Sequence, residues 1–312
     1  MVGLSRDQEL WVKSYGSSGT ARPLGPDTVM EIGSITKTFT GVLLADMTLR
    51  GEVRLDDPID RYLPGRTPRR GDRQITLLDL ATHTSRLPRA GRILLRQHLR
   101  DREEPFAAFT VADLYATVSS ARVRRGLGTR MRYSNIGFGL LGHILGLVAG
   151  RPFEELVVER VCAPLGLKET TGEVPADEDV RAARGHRRGG RPAPPIRIPT
   201  LGGAGALRST AVDMLAFLRA HLHPERTPIP GPILMAIGPH RTFRRGNVAI
   251  GLGWLHLRRK DRIIILHDGG TVGFGALAAF EPERDAAIVV LSNSRYLLRT
   301  GRTALRLLEA LG

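Results

Sequence analysis

A serine and a lysine stand three residues apart where a helix is predicted to begin, in the stretch Gly33-Ser34-Ile35-Thr36-Lys37. Apolar residues recur at helical spacing from about Ser34 to Arg50, so the hydroxyl and the amine leave the same side of one helical turn. Unpaired N–H groups at a helix N-terminus favour negative charge on the hydroxyl, and an adjacent amine can accept its proton. The spacing indicates a nucleophilic serine activated by lysine, although a capping serine beside a surface lysine would have the same spacing.

Lysine is rare in this chain, which makes the pair more informative. Of 46 basic residues, 42 are arginines, and only Lys37 among the four lysines has a serine three residues before it. Arginine is always protonated, whereas a buried lysine can lose its proton. Lys37 is therefore suited to a role as a base.

Tyr133 and Asn135 form a second candidate pair, in an extended or turn segment that precedes an apolar helix. Residues two apart in an extended segment point the same way. A phenol near a lysine ammonium has its anion favoured and can then act as a general base. Asn135 offers a neutral donor and acceptor for an ester or amide carbonyl. On its own, the segment favours a loop around a buried tyrosine over a catalytic role.

His267-Asp268-Gly269-Gly270 is predicted to end a buried strand, and its two glycines would allow a ligand to approach the backbone closely. The N–H group of Gly270 could then join the N–H group of Ser34 as an oxyanion hole. The four residues alone are also compatible with an ordinary turn.

The three motifs in this order resemble those of the serine beta-lactamase and penicillin-binding protein superfamily, most closely the class C beta-lactamase-like hydrolases and esterases. Further segments are similar to that family over nearly the whole chain: Leu78-Asp79-Leu80-Ala81-Thr82-His83-Thr84-Ser85, Arg151-Pro152-Phe153, Ala163-Pro164-Leu165-Gly166-Leu167, Gly202-Gly203-Ala204-Gly205-Ala206-Leu207-Arg208-Ser209-Thr210, Gly251-Leu252-Gly253-Trp254 and Gly273-Phe274.

The resemblance implies a role for each candidate residue. Ser34 is the nucleophile, Lys37 and Tyr133 share the proton transfers, and Asn135 orients the acyl group. His267 faces the pocket, with Gly269 and Gly270 beside the substrate and Gly270 in the oxyanion hole. No metal and no cofactor are implied, and the expected partner is a small-molecule acyl substrate.

Arg86 departs from the family pattern, and His267 distinguishes the third motif from that of penicillin-hydrolysing relatives. Arg86 occupies the position where the family usually has glycine, and a positive φ there would cost an arginine roughly 1 kcal/mol or more. His267 replaces the lysine usual in penicillin-hydrolysing relatives and is mostly neutral above its reference pKa of about 6.5. We therefore expect short acyl esters to be better substrates than penicillins, unless an arginine elsewhere supplies the missing cation.

The predicted elements give an α+β fold that could hold these motifs together. Strands are predicted at both ends of the chain, and helices are predicted between them, from capping pairs such as Thr76 with Asp79. Both termini would build one antiparallel sheet, flanked by the Ser34 helix and a last helix over Thr303–Leu311. We predict a sheet domain of residues 1–52 and 206–312 and an inserted helical region of residues 53–205, with the active site between them. Residues 181–205 are predicted to be a long loop.

Composition limits the class of protein. The formal charge is +15, but the arginines are scattered in ones and twos, which argues against specific nucleic-acid binding and for a solvated surface. Neither a transmembrane run nor a signal peptide is predicted, and the single Cys162 excludes an internal disulfide, so we expect a cytoplasmic protein. His221 and His223 are expected at the surface. The sequence does not predict an oligomeric state.

The leading interpretation is a serine hydrolase that cleaves a small ester or amide through an acyl-enzyme. An acyltransferase of the same fold stays open because it would need the same three catalytic residues. A beta-lactamase or D-alanyl peptidase, and a non-catalytic binding module that keeps the fold, also stay open.

Overall fold

The computed structural model describes residues 1–7, 9–101, 104, 106–123, 125–173, 181–295 and 304–309. The strands are β1 Val2–Arg6, β2 Glu9–Lys13, β3 Met30–Glu31, β4 Arg69–Arg70, β5 Arg73–Gln74, β6 Gly185–His186, β7 Pro192–Ala193, β8 Arg208–Ser209, β9 Arg241–Phe243, β10 Val248–Ile250, β11 Leu255–Arg259, β12 Arg262–Gly270, β13 Gly275–Glu281 and β14 Ala286–Ser292. The helices are α1 Thr36–Leu49, α2 Leu77–Ala81, α3 Arg92–Arg100, α4 Val111–Ser119, α5 Asn135–Ala149, α6 Phe153–Val157, α7 Gly202–Gly205, α8 Ala211–Leu222, α9 Pro230–Ile237 and α10 over 304–309.

One antiparallel sheet draws its strands from both ends of the chain, in the order β2-β1-β14-β13-β12-β11-β10-β9. β1 lies inside this sheet, between β2 and β14, and its register pairs Gly3 with Val289. Strands β13 and β14 carry apolar residues that are buried on both faces. The predicted α+β class, with a sheet built from both termini, is therefore confirmed.

Helices cover both faces of the sheet. On one face α8 packs against β14 and β1, and the stacked rings of Phe39 and Phe217, 3.9 Å apart, join α1 to α8. On the other face Ala304 and Leu308 of α10 pack against apolar residues of β12, β13 and β14 such as Leu277. The predicted last helix thus lies where it was expected, although its residues 303, 310 and 311 fall outside those described.

Three helices begin at the capping residues that the sequence indicates. Thr76 and Thr110 each accept a hydrogen bond from the N–H group of the aspartate three residues later, whose carboxylate accepts from the threonine N–H group in return. Thr210 caps α8 in the same way through its side chain. Gly150 ends α5 at φ +65°, a left-handed conformation that glycine adopts without strain.

Residues 181–205 differ from the predicted long loop. They contain the paired strands β6 and β7 and the short helix α7. The sequence reasoning gave no helix over 224–246, yet α9 lies there and begins with prolines in its first turn. Proline is tolerated at that position because its missing N–H group has no helical partner.

His221 is buried rather than exposed, which corrects the surface position expected for it. Its Nδ1 donates a hydrogen bond to the carbonyl oxygen of Phe217 at 2.8 Å, and its ring packs edge-on against Trp254. Burial lowers the pKa of His221 to about 4, so the ring is a neutral part of the aromatic core. His223 is only partly buried and contacts Asp285 through Nε2 at 2.7 Å.

The main hydrophobic core runs without a break from the sheet side of α1 and α8 into helices α2, α4, α5 and α6. The division into a sheet domain and an inserted region stays a prediction. Within the described ranges, no single helix is long and apolar enough to cross a bilayer, and α5 with the following helical segment reaches that length only as a pair bent by 82°.

Candidate active site

Ser34 lies in a single 3-10 turn, Gly33–Ile35, between β3 and α1. The α-helix itself begins at Thr36, two residues later than predicted, so Ser34 precedes it. Gly33 has φ +51°, and a Cβ atom there would lie 2.7 Å from the backbone nitrogen of Gly270. The turn therefore needs glycine for two reasons, its left-handed backbone and its close approach to β12.

Three of the predicted residues meet at the Ser34 hydroxyl. The Nζ atom of Lys37 donates to Ser34 Oγ at 3.0 Å, and the Tyr133 hydroxyl donates to the same oxygen at 2.7 Å. Lys37 lies on α1, and Tyr133 lies in the segment before α5. Ser34 and Tyr133 are 99 residues apart in the sequence. The predicted juxtaposition of serine, lysine and tyrosine is present.

Lys37 is completely buried, and this determines its protonation. The pKa of Lys37 is lowered to about 7, chiefly by burial; the negative charge of Asp268 opposes the shift, and the positive charge of Arg89 adds to it. A large fraction of the amine is therefore neutral near pH 7. A neutral amine has a lone pair that can accept the Ser34 proton across the same 3.0 Å contact.

Tyr133 shows the opposite shift, which corrects the expectation that the nearby lysine would favour the phenolate. Burial raises the pKa of Tyr133 to about 12, and the hydrogen bond to Ser34 only partly offsets it. The desolvation of the phenolate outweighs any attraction to a lysine that is itself largely neutral. Tyr133 is thus a protonated donor that can pass protons on, and Lys37 is the better base.

His83 holds the Tyr133 segment in place, a role that the sequence reasoning did not assign. Its Nδ1 accepts from the Ser134 N–H group at 3.2 Å, and its carbonyl oxygen accepts from the Arg132 N–H group at 2.7 Å. The ring centroids of His83 and Tyr133 are 4.4 Å apart. Burial lowers the pKa of His83, which keeps the ring neutral and Nδ1 free to accept. The sequence feature that could have indicated this role is the segment 78–85, which is similar to the family but was given no function.

Arg86 adopts φ +64°, so the position that usually holds glycine does need a left-handed backbone. The expected strain of about 1–2 kcal/mol applies to an arginine there. Its carbonyl oxygen accepts a hydrogen bond from Nη1 of Arg132 at 3.3 Å, which joins this turn to the Tyr133 segment.

Helix α7 supports the nucleophile from the other side. The carbonyl oxygen of Ala204 accepts from Lys37 Nζ at 2.6 Å, and that of Gly203 accepts from the Thr40 hydroxyl at 2.8 Å. A Cβ atom at Gly203 would lie 2.7 Å from the carbonyl oxygen of Phe138, so only glycine lets α7 approach so closely. The backbone of this helix therefore fixes the lysine amine beside Ser34.

A cavity of about 230 Å³ opens beside Ser34. Its lining residues are Gly33, Ser34, Arg89, Phe106, Asn135, Ile196, Ile198, Leu201, Ala204, Gly205, Gly270, Thr271, Val272 and Arg295. The Oδ1 atom of Asn135 is buried without a hydrogen-bond partner among the described residues, so it is free to bind a ligand donor. Three other cavities, of about 390, 400 and 280 Å³, are larger, but none of them is lined by Ser34.

The third motif is arranged differently from the prediction. β12 continues through Gly270 instead of ending in a turn before it, and Gly270 pairs with Gly275. Gly269 packs against the carbonyl oxygen of Ile32, and a Cβ atom at Gly269 would lie only 1.9 Å from that oxygen. Gly269 does not line the cavity. Gly270 does line it, beside Ser34, where the oxyanion-hole hypothesis needs its N–H group.

His267 is buried beside the polar cluster, with its ring centroid 6.4 Å from that of Tyr133. Its Nδ1 donates to the carbonyl oxygen of Gly253 at 2.6 Å. The pKa of His267 is lowered to about 4, chiefly by burial and also by the neighbouring Lys37, so the ring is neutral. Because side chains alternate along a strand, the exposed Asp268 lies on the opposite face of the sheet.

Within the described part of the chain, no group of three or more His, Cys, Asp or Glu residues is placed to hold a metal ion. The arrangement can supply a nucleophile, a base and a proton donor from Ser34, Lys37 and Tyr133 alone.

Comparison with known proteins agrees with this geometry. The family model described as Beta-lactamase matches residues 1–311. The chain is 30% identical over 308 residues to the D-alanyl-D-alanine-carboxypeptidase/endopeptidase AmpH of Escherichia coli strain K12, a match that covers 90% of this chain and 76% of that protein. It is 30% identical over 318 residues to a beta-lactamase of the same strain, covering 90% and 80%, and 26% identical over 320 residues to a beta-lactamase of Pseudomonas fluorescens, covering 91% and 85%. Taken with a fold of the beta-lactamase and transpeptidase type, these matches establish that the chain belongs to the beta-lactamase family of serine hydrolases.

Proposed function

We propose that this hydrolase cleaves small esters or amides through an acyl intermediate on Ser34 and that short acyl esters are its better substrates. The observation that carries the proposal is the pair of contacts at Ser34 Oγ, 3.0 Å from the Lys37 amine and 2.7 Å from the Tyr133 hydroxyl. A hydroxyl so placed has both a base to remove its proton and a donor to return one to a leaving group.

In the proposed acylation step, the neutral amine of Lys37 takes the Ser34 proton while Oγ forms a bond to the acyl carbon. The oxyanion accepts hydrogen bonds from the N–H groups of Ser34 and Gly270. The bond to the leaving group then breaks, and the leaving oxygen or nitrogen takes the hydroxyl proton of Tyr133, which Lys37 replaces. The unpartnered Oδ1 of Asn135 can orient a donor on the acyl group.

Deacylation repeats the same proton transfers with water. Lys37 takes a proton from the attacking water, the Oγ–acyl bond breaks, and Ser34 recovers its proton as the carboxylic acid leaves. An amine or alcohol in place of water would give acyl transfer by the same route. Product analysis with an added amine acceptor separates the two reactions, because only transfer gives the amide product.

The size and polarity of the cavity support a short acyl group. Its volume of about 230 Å³ is below the usual range for drug-sized ligands, and Ile196, Ile198 and Leu201 make much of its wall apolar. At His267 there is no fixed positive charge for a penicillin carboxylate. The small volume favours a small ester over a bicyclic lactam.

A beta-lactamase or D-alanyl peptidase activity is the second candidate. The relatives' names favour it, since one is called a D-alanyl-D-alanine-carboxypeptidase/endopeptidase and others beta-lactamases. A comparison of kcat/KM for p-nitrophenyl butyrate and nitrocefin at one pH tests the ranking. A higher value for nitrocefin would place the second candidate first.

Covalent labelling tests the proposed nucleophile. After treatment with a fluorophosphonate probe, mass spectrometry should map one adduct to Ser34, and Ser34→Ala should take no label and lose hydrolysis of p-nitrophenyl acetate. Residual turnover within about tenfold of the parent, a loss of less than about 1.4 kcal/mol in transition-state stabilisation, would mean that another group attacks the ester. An unlabelled wild-type protein that hydrolyses no ester would indicate a binding module.

A further inference from the structure

We propose that Arg89 and Arg295 form an anion-recognition pair at the active-site cavity, so that the preferred substrates are small acyl esters or amides carrying a carboxylate. The inference rests on the proposed function, because it concerns what the same cavity selects. The sequence left open that an arginine elsewhere supplies the positive charge missing from the third motif. Arg89 and Arg295 would supply that charge.

The charged side chains that line the cavity are all positive. Both arginines line it, and none of the described lining residues is acidic. The remaining lining combines apolar side chains with backbone and neutral polar groups. An anion entering this cavity would therefore meet two positive charges and no negative side chain, and it would lose little by leaving water there.

Neither guanidinium has a carboxylate partner among the residues that the structure describes. Two less exposed arginines have carboxylate partners, Arg262 in Glu281 and Arg208 in Glu31. Among the described residues, Arg89 and Arg295 have no ion pair, and both are exposed. Single exposed arginines are ordinary, but these two come from distant parts of the chain to one small cavity beside the nucleophile.

Arg89 is also close enough to the reacting groups for its charge to act on them. Its guanidinium carbon lies 5.3 Å from the ring centroid of Tyr133. After burial, which is the main cause, Arg89 is the group that lowers the pKa of Lys37 further. A substrate carboxylate bound to Arg89 would thus lie near Tyr133 and Lys37. The acyl carbon of the same substrate could then reach Ser34.

Guanidinium groups suit a carboxylate because their donors form a planar fork that matches its two oxygens. His267 cannot do this, since its ring is neutral and its Nδ1 is committed to Gly253. The proposed carboxylate-binding site is therefore formed by Arg89 and Arg295 and not by His267 of the third motif. Relative to an uncharged ester of the same length, a carboxylated ester should gain in binding.

The test compares two esters with the same leaving group and nearly the same acyl length, p-nitrophenyl valerate and mono-p-nitrophenyl glutarate. At low ionic strength we expect kcat/KM to be at least about tenfold higher for the glutarate, as one charge-assisted hydrogen bond would give. The ratio should fall towards one in the double variant Arg89→Gln, Arg295→Gln, mainly through KM for the glutarate. A p-nitrophenyl butyrate with a carboxylate on the ring tests whether the arginines bind a carboxylate on the leaving group. A higher kcat/KM for either carboxylated ester than for its uncharged counterpart supports the pair.

The matched control is Arg259→Gln, which removes the same charge from an exposed position on β11. It should leave the ratio unchanged, and added salt should lower the wild-type ratio because it screens exposed charges. A wild-type protein that hydrolyses the valerate without preferring either carboxylated ester overturns the anion site and leaves the hydrolase proposal standing. An unchanged ratio in the double variant also overturns it. Failure to hydrolyse any of these esters, without labelling at Ser34, removes the proposed function and this inference together.

Discussion

Replacing Lys37 by methionine should make the protein more stable while it abolishes hydrolysis. The lysine is completely buried, and its amine donates to Ser34 Oγ at 3.0 Å and to the Ala204 carbonyl oxygen at 2.6 Å. Methionine has a similar length and no charge, so Lys37→Met keeps the packing and removes the cost of holding an amine away from water. The variant also lacks the base that the proposed mechanism requires.

The size of the effect follows from the shift in the pKa of Lys37, from 10.5 in a free lysine to about 7 in the folded protein. Because the unfolded chain binds more protons than the folded one between these values, the lysine destabilises the fold fully below pH 7 and progressively less as the pH rises to 10.5. At pH 6 the cost is about 5 kcal/mol and at pH 9 about 2 kcal/mol. Loss of the hydrogen bond to Ala204 offsets part of the gain, by about 1–2 kcal/mol, at both pH values.

Urea unfolding of wild type and Lys37→Met at pH 6 and pH 9 measures this directly. The gain in the free energy of unfolding should be about 3 kcal/mol larger at pH 6 than at pH 9, and the pH-independent hydrogen-bond loss cancels in that difference. Lys168→Met, the same change at an exposed lysine, should show no such difference. Equal gains for Lys37→Met at both pH values would mean that the folded protein does not depress the pKa of Lys37, and the assignment of Lys37 as base would fall.

Three further predictions concern the same site. Below pH 7, kcat/KM for p-nitrophenyl acetate should rise about tenfold per pH unit and then level off as Lys37 loses its proton, and a flat profile from pH 5 to pH 8 would contradict the base assignment. Tyr133→Phe should lower kcat by about 10²- to 10⁴-fold with little change in the melting temperature, whereas a wild-type rate would exclude Tyr133 from proton transfer. Gly33→Ala should lose both activity and stability, since its Cβ would lie 2.7 Å from the nitrogen of Gly270. Gly51→Ala shares the positive φ but meets no atom within 4 Å, so it should lose only about 1 kcal/mol and remain active.

Features set by neighbours in the sequence could be predicted from the sequence. The Ser34 and Lys37 contact depends on one turn of backbone, and the caps at Thr76 and Thr110 depend on a residue three positions away. The alternating and apolar patterns near both termini were enough to predict the sheet. Tyr133 was found only through the ordered motifs, because nothing local to it specifies a partner 99 residues away.

What escaped prediction depends on backbone groups and on burial. The Ala204 carbonyl that holds Lys37 has no side-chain signature. The pKa of Tyr133 was expected to follow its charged neighbour, but burial decides it. β12 runs through Gly269 although glycine is unfavourable in strands, because the carbonyl of Ile32 approaches too closely for any Cβ atom.

Long-range specificity escaped for another reason. Arg89 and Arg295 are two of 42 arginines, and no local pattern separates them from the others. Only the fold brings them to one cavity. Charged side chains in an arginine-rich chain therefore become informative once their spatial neighbours are known.

The pairing of β1 with β14 limits when the sheet can form during synthesis of this protein. Synthesis proceeds from the N-terminus at about 5–20 residues per second, so Gly3 waits roughly 15–60 s for its partner Val289 to be made. Until then β1 has only the hairpin with β2, which is too small to be stable alone, and its other edge is open to pairing with foreign strands. Contacts so distant in sequence also slow folding after release. A nascent chain of this design therefore depends on protection of β1 until β14 has been synthesised.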